Sequence, residues 1–183
     1  MSITVPSDYQ DILAISQNKY DQQDLQKYID EYEEDYLICM LGKELYDLFI
    51  SDLDPITNLP TTQRFIDIYN PIYFEGNHNI YDPFYLDCFC HLKPKKTEGI
   101  PEMLKEFVYF HYGRDMNVQN TITGYVRADN ENSTNVPFTE TKGIRVYNKG
   151  IYNYNGIIYY IHQNKDIYPE WDGYVKEYTG YIY

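Results

Sequence analysis

The side chains best suited to binding a metal ion lie close together, in the run Cys88-Phe89-Cys90-His91 with His78 ten residues before it. Zinc sites usually leave two to four residues between paired cysteines and draw on a second pair of ligands. Here a single residue separates the cysteines, and no second pair follows. The spacing therefore favours buried or unused thiols over a metal site, and we expect free thiols at Cys39, Cys88 and Cys90.

Carboxylates recur at four-residue steps in Glu98, Glu102 and Glu106, which places them on one face of a helix. Paired carboxylates do acid–base chemistry where they share a pocket and differ in environment. Because Lys105 lies beside them, the simpler interpretation is a solvated face. The acidic run from Asp30 to Asp35 receives the same interpretation.

Two histidines could act as bases, but their settings favour structural roles. His111 lies on an otherwise apolar helix face and is interpreted as a core or interface residue, whereas His162 suits a helix C-terminus. The sequence contains no nucleophile elbow, phosphate-binding loop, dinucleotide-binding glycine pattern or zinc-protease pattern. We therefore expect no catalytic residue, metal or cofactor. The alternative is an enzyme whose site combines Glu102, His111 and Asp115.

Charge limits the classes of partner. The 183 residues carry 15 basic and 28 acidic side chains, a net charge of −13, which argues against a protein that grips nucleic acid. Residues 1–70 hold 14 acids and 4 bases, so the excess is concentrated there. No apolar run approaches the roughly 20 residues of a membrane span, and the N-terminus has no signal pattern. We expect no contact with a membrane.

Tyrosine is the most unusual component, with 23 residues. Its large, stiff ring with a polar tip is enriched at protein interfaces. This content is typical of an assembly subunit rather than of a monomeric enzyme.

Hydrophobic periodicity predicts a mainly α fold, a bundle of about five helices in a single domain over 1–183. We expect an N-terminal arm (1–23) that forms a short strand or packs irregularly, then a helical core (24–164) and an extended aromatic tail (165–183). Within the core, residues 71–97 are expected to be irregular and residues 121–135 to form a loop or small hairpin. Helices are predicted from Asp24 to Leu41, from Lys43 to Ile50, from Thr61 to Tyr69, from Pro101 to about Asn117, and within 138–164.

The last of these helices is predicted from a heptad spacing, although its tyrosines, isoleucines and glycines would ordinarily suggest strands. Its glycines are expected to lower its intrinsic stability by roughly 1 kcal/mol each relative to alanine. The seam consists of Ile144, Tyr147, Ile151, Tyr154, Ile158 and Ile161.

Two stretches resemble a known class of virion proteins. In Tyr28–Phe49 an acidic helix ends in Leu41-Gly42 and a second begins with Leu45-Tyr46, which resembles the opening helices of head–tail connector (adaptor) proteins of tailed phages. The second stretch is similar to ring proteins in the neck of crAss-like phages. It comprises Gly99–Asp115 with Thr123-Gly124, Asn130–Ser133, Tyr147–Gly150 and Tyr154-Asn155.

The resemblance implies a structural subunit of the virion neck, made in the host cytoplasm and docked beneath the portal protein. About a dozen copies would close head to tail into a ring that contacts a neighbouring neck or tail ring protein. DNA would pass through the lumen, where net negative charge prevents tight binding. In such adaptors the C-terminal segment reaches the portal, which suggests as anchors Tyr168, Trp171, Tyr174, Tyr178, Tyr181 and Tyr183.

Other interpretations stay open. Lys93, Lys95 and Lys96 are interpreted as a docking patch for an acidic partner. The aromatic tail and residues 71–97 would also suit a module that binds carbohydrate or a host surface. Among virion roles, a tail-completion or stopper protein is the nearest alternative to a connector.

Overall fold

The structure, a computed structural model, describes residues 2–15, 19–74, 96–116, 119–121, 124–126 and 142–173. Within these residues the chain is mainly helical, which confirms the predicted fold class. The described helices are α1 (Lys19–Leu41), α2 (Lys43–Asp52), α3 (Gln63–Tyr69), α4 (Ile100–Met116) and α5 (Lys142–Gln163).

The centre of the bundle is the packing of α4 against α5. The predicted seam of α5 is confirmed, because each of its six residues, from Ile144 to Ile161, is at most 9% exposed. Gly150 also serves this packing. A Cβ at its position would lie 3.1 Å from the ring of Phe107 on α4, so the glycine lets the two helices approach closely.

Helix α1 joins this core through aromatic rings. Tyr36 of α1 stacks on Phe107 with ring centroids 3.9 Å apart and an interplanar angle of 1°. Tyr147 of α5 meets the same ring edge-on at 5.5 Å. A single side chain of α4 therefore contacts both neighbouring helices.

Most helix boundaries follow the sequence, with one correction. The prediction that Asp24 caps α1 is wrong, because the helix begins at Lys19 and the Asp24 carboxylate pairs with Lys27 one turn further on. Gly42 ends α1 as predicted, with a φ of +74° and its N–H donating to the Ile38 carbonyl at 2.9 Å. The end of α2 and the start of α3 each differ from the prediction by two residues, an ordinary uncertainty for helix ends.

Residues 2–15 form an arm that packs against the bundle with two short 3₁₀ turns, Pro6–Asp8 and Asp11–Leu13. Of the two predicted forms, the structure shows the irregular arm rather than the strand. Tyr9 is fully buried in a cluster that includes Ile29 of α1 and Val108 of α4. One aromatic side chain thus fixes the middle of the arm to the bundle.

Two small antiparallel pairs accompany the helices. β1 (Ile72–Tyr73) pairs with β2 (Lys96–Thr97), so the two ends of the predicted irregular region 71–97 are ordered, while residues 75–95 lie outside the described residues. β3 (Gln119–Thr121) pairs with β4 (Gly124–Val126), which confirms a small hairpin that begins two residues earlier than predicted.

The C-terminal segment, residues 164–173, corrects the prediction of an extended tail. It folds back in turns, with Tyr168 1% exposed and Trp171 5% exposed. The Tyr168 hydroxyl donates to the Arg64 carbonyl at 2.6 Å, and the Trp171 indole N–H donates to the Met40 carbonyl at 3.2 Å. Both rings belong to the core because their polar tips find backbone partners there.

Candidate functional site

A groove of about 930 Å³, here named the arm groove, opens between the arm and the helices α4 and α5. The arm supplies one wall, with Asp8 and Asp11 among its residues, and Ile12 beside them is 68% exposed. The helices supply the other wall and the floor. Their lining residues are Glu102, Lys105, Glu106, Arg145, Val146 and Lys149.

Glu106 lies at the floor of the arm groove, and its placement overturns the prediction of a solvated carboxylate face. Its side chain is 1% exposed, because position 106 of α4 faces α5. Glu98 and Glu102 remain part-exposed, with side chains 35% and 39% exposed. The prediction of one helix face for all three is wrong for Glu98, which precedes α4. Of the two that lie on the helix, only Glu106 is covered by α5.

Two groups of α5 partner the Glu106 carboxylate. The Asn153 amide donates to Oε2 at 2.7 Å, and the Lys149 ammonium forms an ion pair with Oε1 at 2.6 Å. Burial raises the pKa of Glu106 to about 7, and the neighbouring Glu102 adds to this, although Lys149 and Asn153 act against it. A buried carboxylate therefore exchanges its proton near neutral pH.

Asn153 extends this polar contact to the start of α4. It is 1% exposed, and its side-chain oxygen accepts a hydrogen bond from the Glu98 N–H at 3.0 Å. The Thr97 hydroxyl donates to the Asn153 backbone carbonyl at 3.2 Å. These bonds hold the Asn153 amide in place, and with it the orientation of the Glu106 carboxylate.

The basic side chains of the groove come mainly from α5. Helix α5 contains three Lys or Arg residues and no acid, and these lie at positions 142, 145 and 149, which face the same side. Arg145 is exposed, and the Lys149 side chain is 56% exposed. Lys105 of α4 instead pairs with Glu102 on its own helix. Sequence reasoning missed this basic side, although the lack of acids across α5 is a signal that could have revealed it.

A second buried carboxylate, Glu33 of α1, fastens the arm. It is 4% exposed and accepts hydrogen bonds from the Ile3 N–H at 2.8 Å, the Thr4 N–H at 2.9 Å and the Thr4 hydroxyl at 2.5 Å. Burial raises the pKa of Glu33, while these hydrogen bonds act against the rise. The prediction that the acidic run is a solvated face is wrong at this position, and the reason is the arm lying over it.

His111 has the structural role expected of it. Its ring stacks on Tyr32 at 3.9 Å, and Nε2 shares a hydrogen bond of 2.8 Å with the Tyr36 hydroxyl. Burial lowers the pKa of His111 to about 4, and Arg114 acts in the same direction. His162, in the last turn of α5, meets the ring of Trp171 edge-on at 6.1 Å.

The structure does not bring together the three residues of the enzyme alternative. Glu102 and His111 are nine residues apart on α4, which separates them by about 13 Å along the axis and turns them to opposite sides of the helix. Asp115 lies near His111 and forms an ion pair with Arg114 at 2.7 Å. The trio therefore shares no pocket.

The structure describes two of the predicted portal anchors, and both are buried in the single subunit. Tyr168 is 1% exposed and Trp171 5% exposed, and both belong to the main core cluster of their own chain. Lys96 lies 3.0 Å from the Glu98 carboxylate, and its ammonium lies over the exposed ring of Tyr73. The other predicted interface residues lie outside the described part of the chain: Lys93, Lys95, Tyr174, Tyr178, Tyr181 and Tyr183.

Cys39 is a free thiol, as predicted, whereas His78, Cys88, Cys90 and His91 lie outside the described residues. In the part of the chain that is described, no three His, Cys, Asp or Glu side chains are grouped to hold a metal ion. The described helices also lack the combination of length and apolar character that crossing a bilayer requires.

Comparison of the chain with protein-family models, with curated proteins and with solved structures finds no match. We therefore base the function on the resemblance of the two sequence stretches and on the geometry of the arm groove and its helices.

Proposed function

We propose that this chain is a structural subunit of the head–tail connector of a tailed phage, forming a ring beneath the portal and around the DNA channel. The resemblance of Tyr28–Phe49 and Gly99–Asp115 to connector and neck ring proteins supports the proposal. The mainly helical bundle is the fold that this resemblance implies.

The observation that carries the proposal is the charge of two helices in the same subunit. Helix α1 has seven acidic and two basic residues, whereas α5 has three basic residues and no acid. Glu31, Glu34 and Asp35 of α1 are exposed and share one side of the helix, and Arg145 and Lys149 are exposed on α5. Patches of opposite sign on different elements favour contact between unlike surfaces of two copies.

Contact between unlike surfaces has a consequence for assembly. It joins copies head to tail, and a head-to-tail series closes into a ring when the rotation between copies permits. The net charge of −13 suits a channel lining that must not hold DNA. In this proposal Tyr168 and Trp171 maintain the bundle rather than bind the portal.

Quantitative mass spectrometry of purified particles tests the proposal, by counting this chain against the major capsid protein. A ring predicts about a dozen copies per particle, and cryo-electron microscopy of the neck then separates a connector from a stopper by position. Absence from the particle, or a count in the hundreds, would contradict the proposal.

Charge reversal tests the observation itself. The double variant Lys142→Glu and Arg145→Glu should not oligomerise. Mixing it with a Glu31→Lys and Glu34→Lys variant should restore contact between α5 of the first variant and α1 of the second. Lys43→Glu is the control for a reversed charge outside α5, because it removes an exposed ion pair with Asp47 that contributes little to stability. Native mass spectrometry with and without the portal protein reads the outcome, and unaltered assembly of the first variant would contradict the pairing of these charges.

A further inference from the structure

We propose that the basic side of α5 docks the exposed acids of α1 from a second copy, and that Lys149 passes from Glu106 to a carboxylate of that copy as the interface forms. The inference rests on the proposed function and makes ring assembly dependent on pH. Once Lys149 has left it, the Glu106 carboxylate takes up a proton. Ring assembly would then consume about one proton per interface.

The geometry of Lys149 leads to this inference. Its ammonium lies 2.6 Å from a carboxylate that is 1% exposed, yet its own side chain is 56% exposed at the edge of the arm groove. It is therefore accessible to a second copy, whereas Glu106 is not. A carboxylate of the second copy would compete with Glu106 for the same ammonium group, because the lysine charge is compact and its stem is flexible.

The surroundings of Glu106 decide its protonation once Lys149 leaves. Asn153 still donates to Oε2, but it carries no charge. Glu102 on the same helix acts against ionisation of Glu106, and Lys105 is already paired with Glu102. Across the groove the arm adds Asp8 and Asp11, and among the described residues of the lining Arg145 is the remaining cation.

Once Lys149 is engaged elsewhere, the acidic groups just named outnumber the basic groups around Glu106. Glu98, which acts on Lys149, adds a further acid on the same side. An ionised carboxylate in a buried site without a close counter-ion is costly, so the group binds a proton instead. In the free subunit its proton already exchanges near neutral pH, which places the effect in an accessible range.

The acids of the second copy are chosen by exposure and position. Glu31, Glu34 and Asp35 are exposed on one side of α1. Asp30 beside them already accepts hydrogen bonds from Ser2 and Gln26. A docking helix with several carboxylates in reach of Arg145 and Lys149 matches the charge of this surface, and the chain itself supplies one.

Calorimetry measures the protons directly. The experiment follows assembly of the unmodified subunit at pH 8, with the portal protein present where needed. It is run in two buffers of different ionisation enthalpy, so that the difference in heat gives the number of protons taken up. The expected result is uptake of close to one proton per interface, and an association constant that falls by up to about tenfold per pH unit above pH 7. The Glu106→Gln variant should assemble with no uptake attributable to this group and more tightly than the unmodified chain at pH 8.

Controls separate this inference from the proposed function. Glu44→Gln makes the same chemical change at an exposed position of α2, outside the lining of the arm groove, and should keep the proton uptake. Rings that form without proton uptake, or an equal uptake in Glu106→Gln, would overturn the inference while leaving the connector proposal intact. No oligomer at any pH, with or without the portal protein, would overturn both. The two-buffer measurement on the unmodified chain decides the matter even if Glu106→Gln fails to fold.

Discussion

The two ends of the described chain pack onto the same bundle by different means. The arm is held by two buried apolar side chains, Ile3 and Tyr9, and by three hydrogen bonds to the Glu33 carboxylate. The C-terminal segment depends on two large rings, Tyr168 and Trp171, that complete the main core. The C-terminal segment buries the larger pair of side chains, and a segment with fewer buried apolar contacts opens locally at a lower cost in free energy. We infer that the arm opens as a unit of its own and that the C-terminal segment does not.

Trp171→Ala is expected to have the largest effect. It removes a ring that is 5% exposed and leaves a cavity in the core, which costs about 3–5 kcal/mol in the free energy of unfolding. Urea unfolding followed by circular dichroism measures this. Ile167→Ala, four residues earlier at a position 44% exposed, is the control and should change stability by less than about 0.5 kcal/mol. A small loss in both variants would show that the segment is an appendage.

Glu106→Gln is expected to change the pH dependence of stability on the arm side of the bundle. The pKa of Glu106 is raised from 4.5 to about 7, so its contribution is fully present below pH 4.5 and is lost as the pH rises through 7. Glutamine does not titrate. The free energy of unfolding of the unmodified chain, relative to the variant, should fall by about 3 kcal/mol between pH 4.5 and 8. Parallel urea titrations across this range measure the difference, and a constant difference would contradict the assignment.

Glu33→Gln is expected to have the smallest of these effects and the most local one. The amide replaces one acceptor oxygen by a donor facing the backbone N–H groups of Ile3 and Thr4, which should weaken the arm by about 2 kcal/mol. Hydrogen exchange should accelerate in the arm while α4 and α5 keep their protection. Glu34→Gln, at the exposed neighbouring position, serves as the control. Equal acceleration throughout the chain would mean that the arm and the bundle open together.

The spacing of apolar residues predicts the helices that pack along a regular apolar stripe. The seam of α5 is recognisable despite its glycines, because its apolar residues step by three and four. The glycines suggest only a weaker helix, since sequence does not show that Phe107 packs against Gly150. The same spacing identifies α1 but places its start five residues late, because an aspartate that would suit a cap can also occur inside a helix.

Burial of individual polar and aromatic side chains could not be predicted in the same way. Glu33 and Glu106 each belong to a run of carboxylates that looks solvated, and a non-adjacent segment covers one member of each run. Tyr168 and Trp171 follow a helix in a stretch that contains proline and glycine, which suggests a free tail. Their partners, the carbonyls of Arg64 and Met40, lie 104 and 131 residues away in the chain, and no local pattern contains that information.

The ring of Phe107 cannot turn over while its neighbours stay in place. Tyr36 covers one face with ring centroids 3.9 Å apart, and on the side of α5 the space beside Gly150 is too small for an unstrained Cβ. A half-turn of the ring needs more volume than the close-packed site provides, so α1 and α5 must separate briefly from α4 each time it occurs. The rate at which the two ring edges exchange, seen by nuclear magnetic resonance, thus reports how often three helices move apart. A second copy seated on α5 would lower that rate.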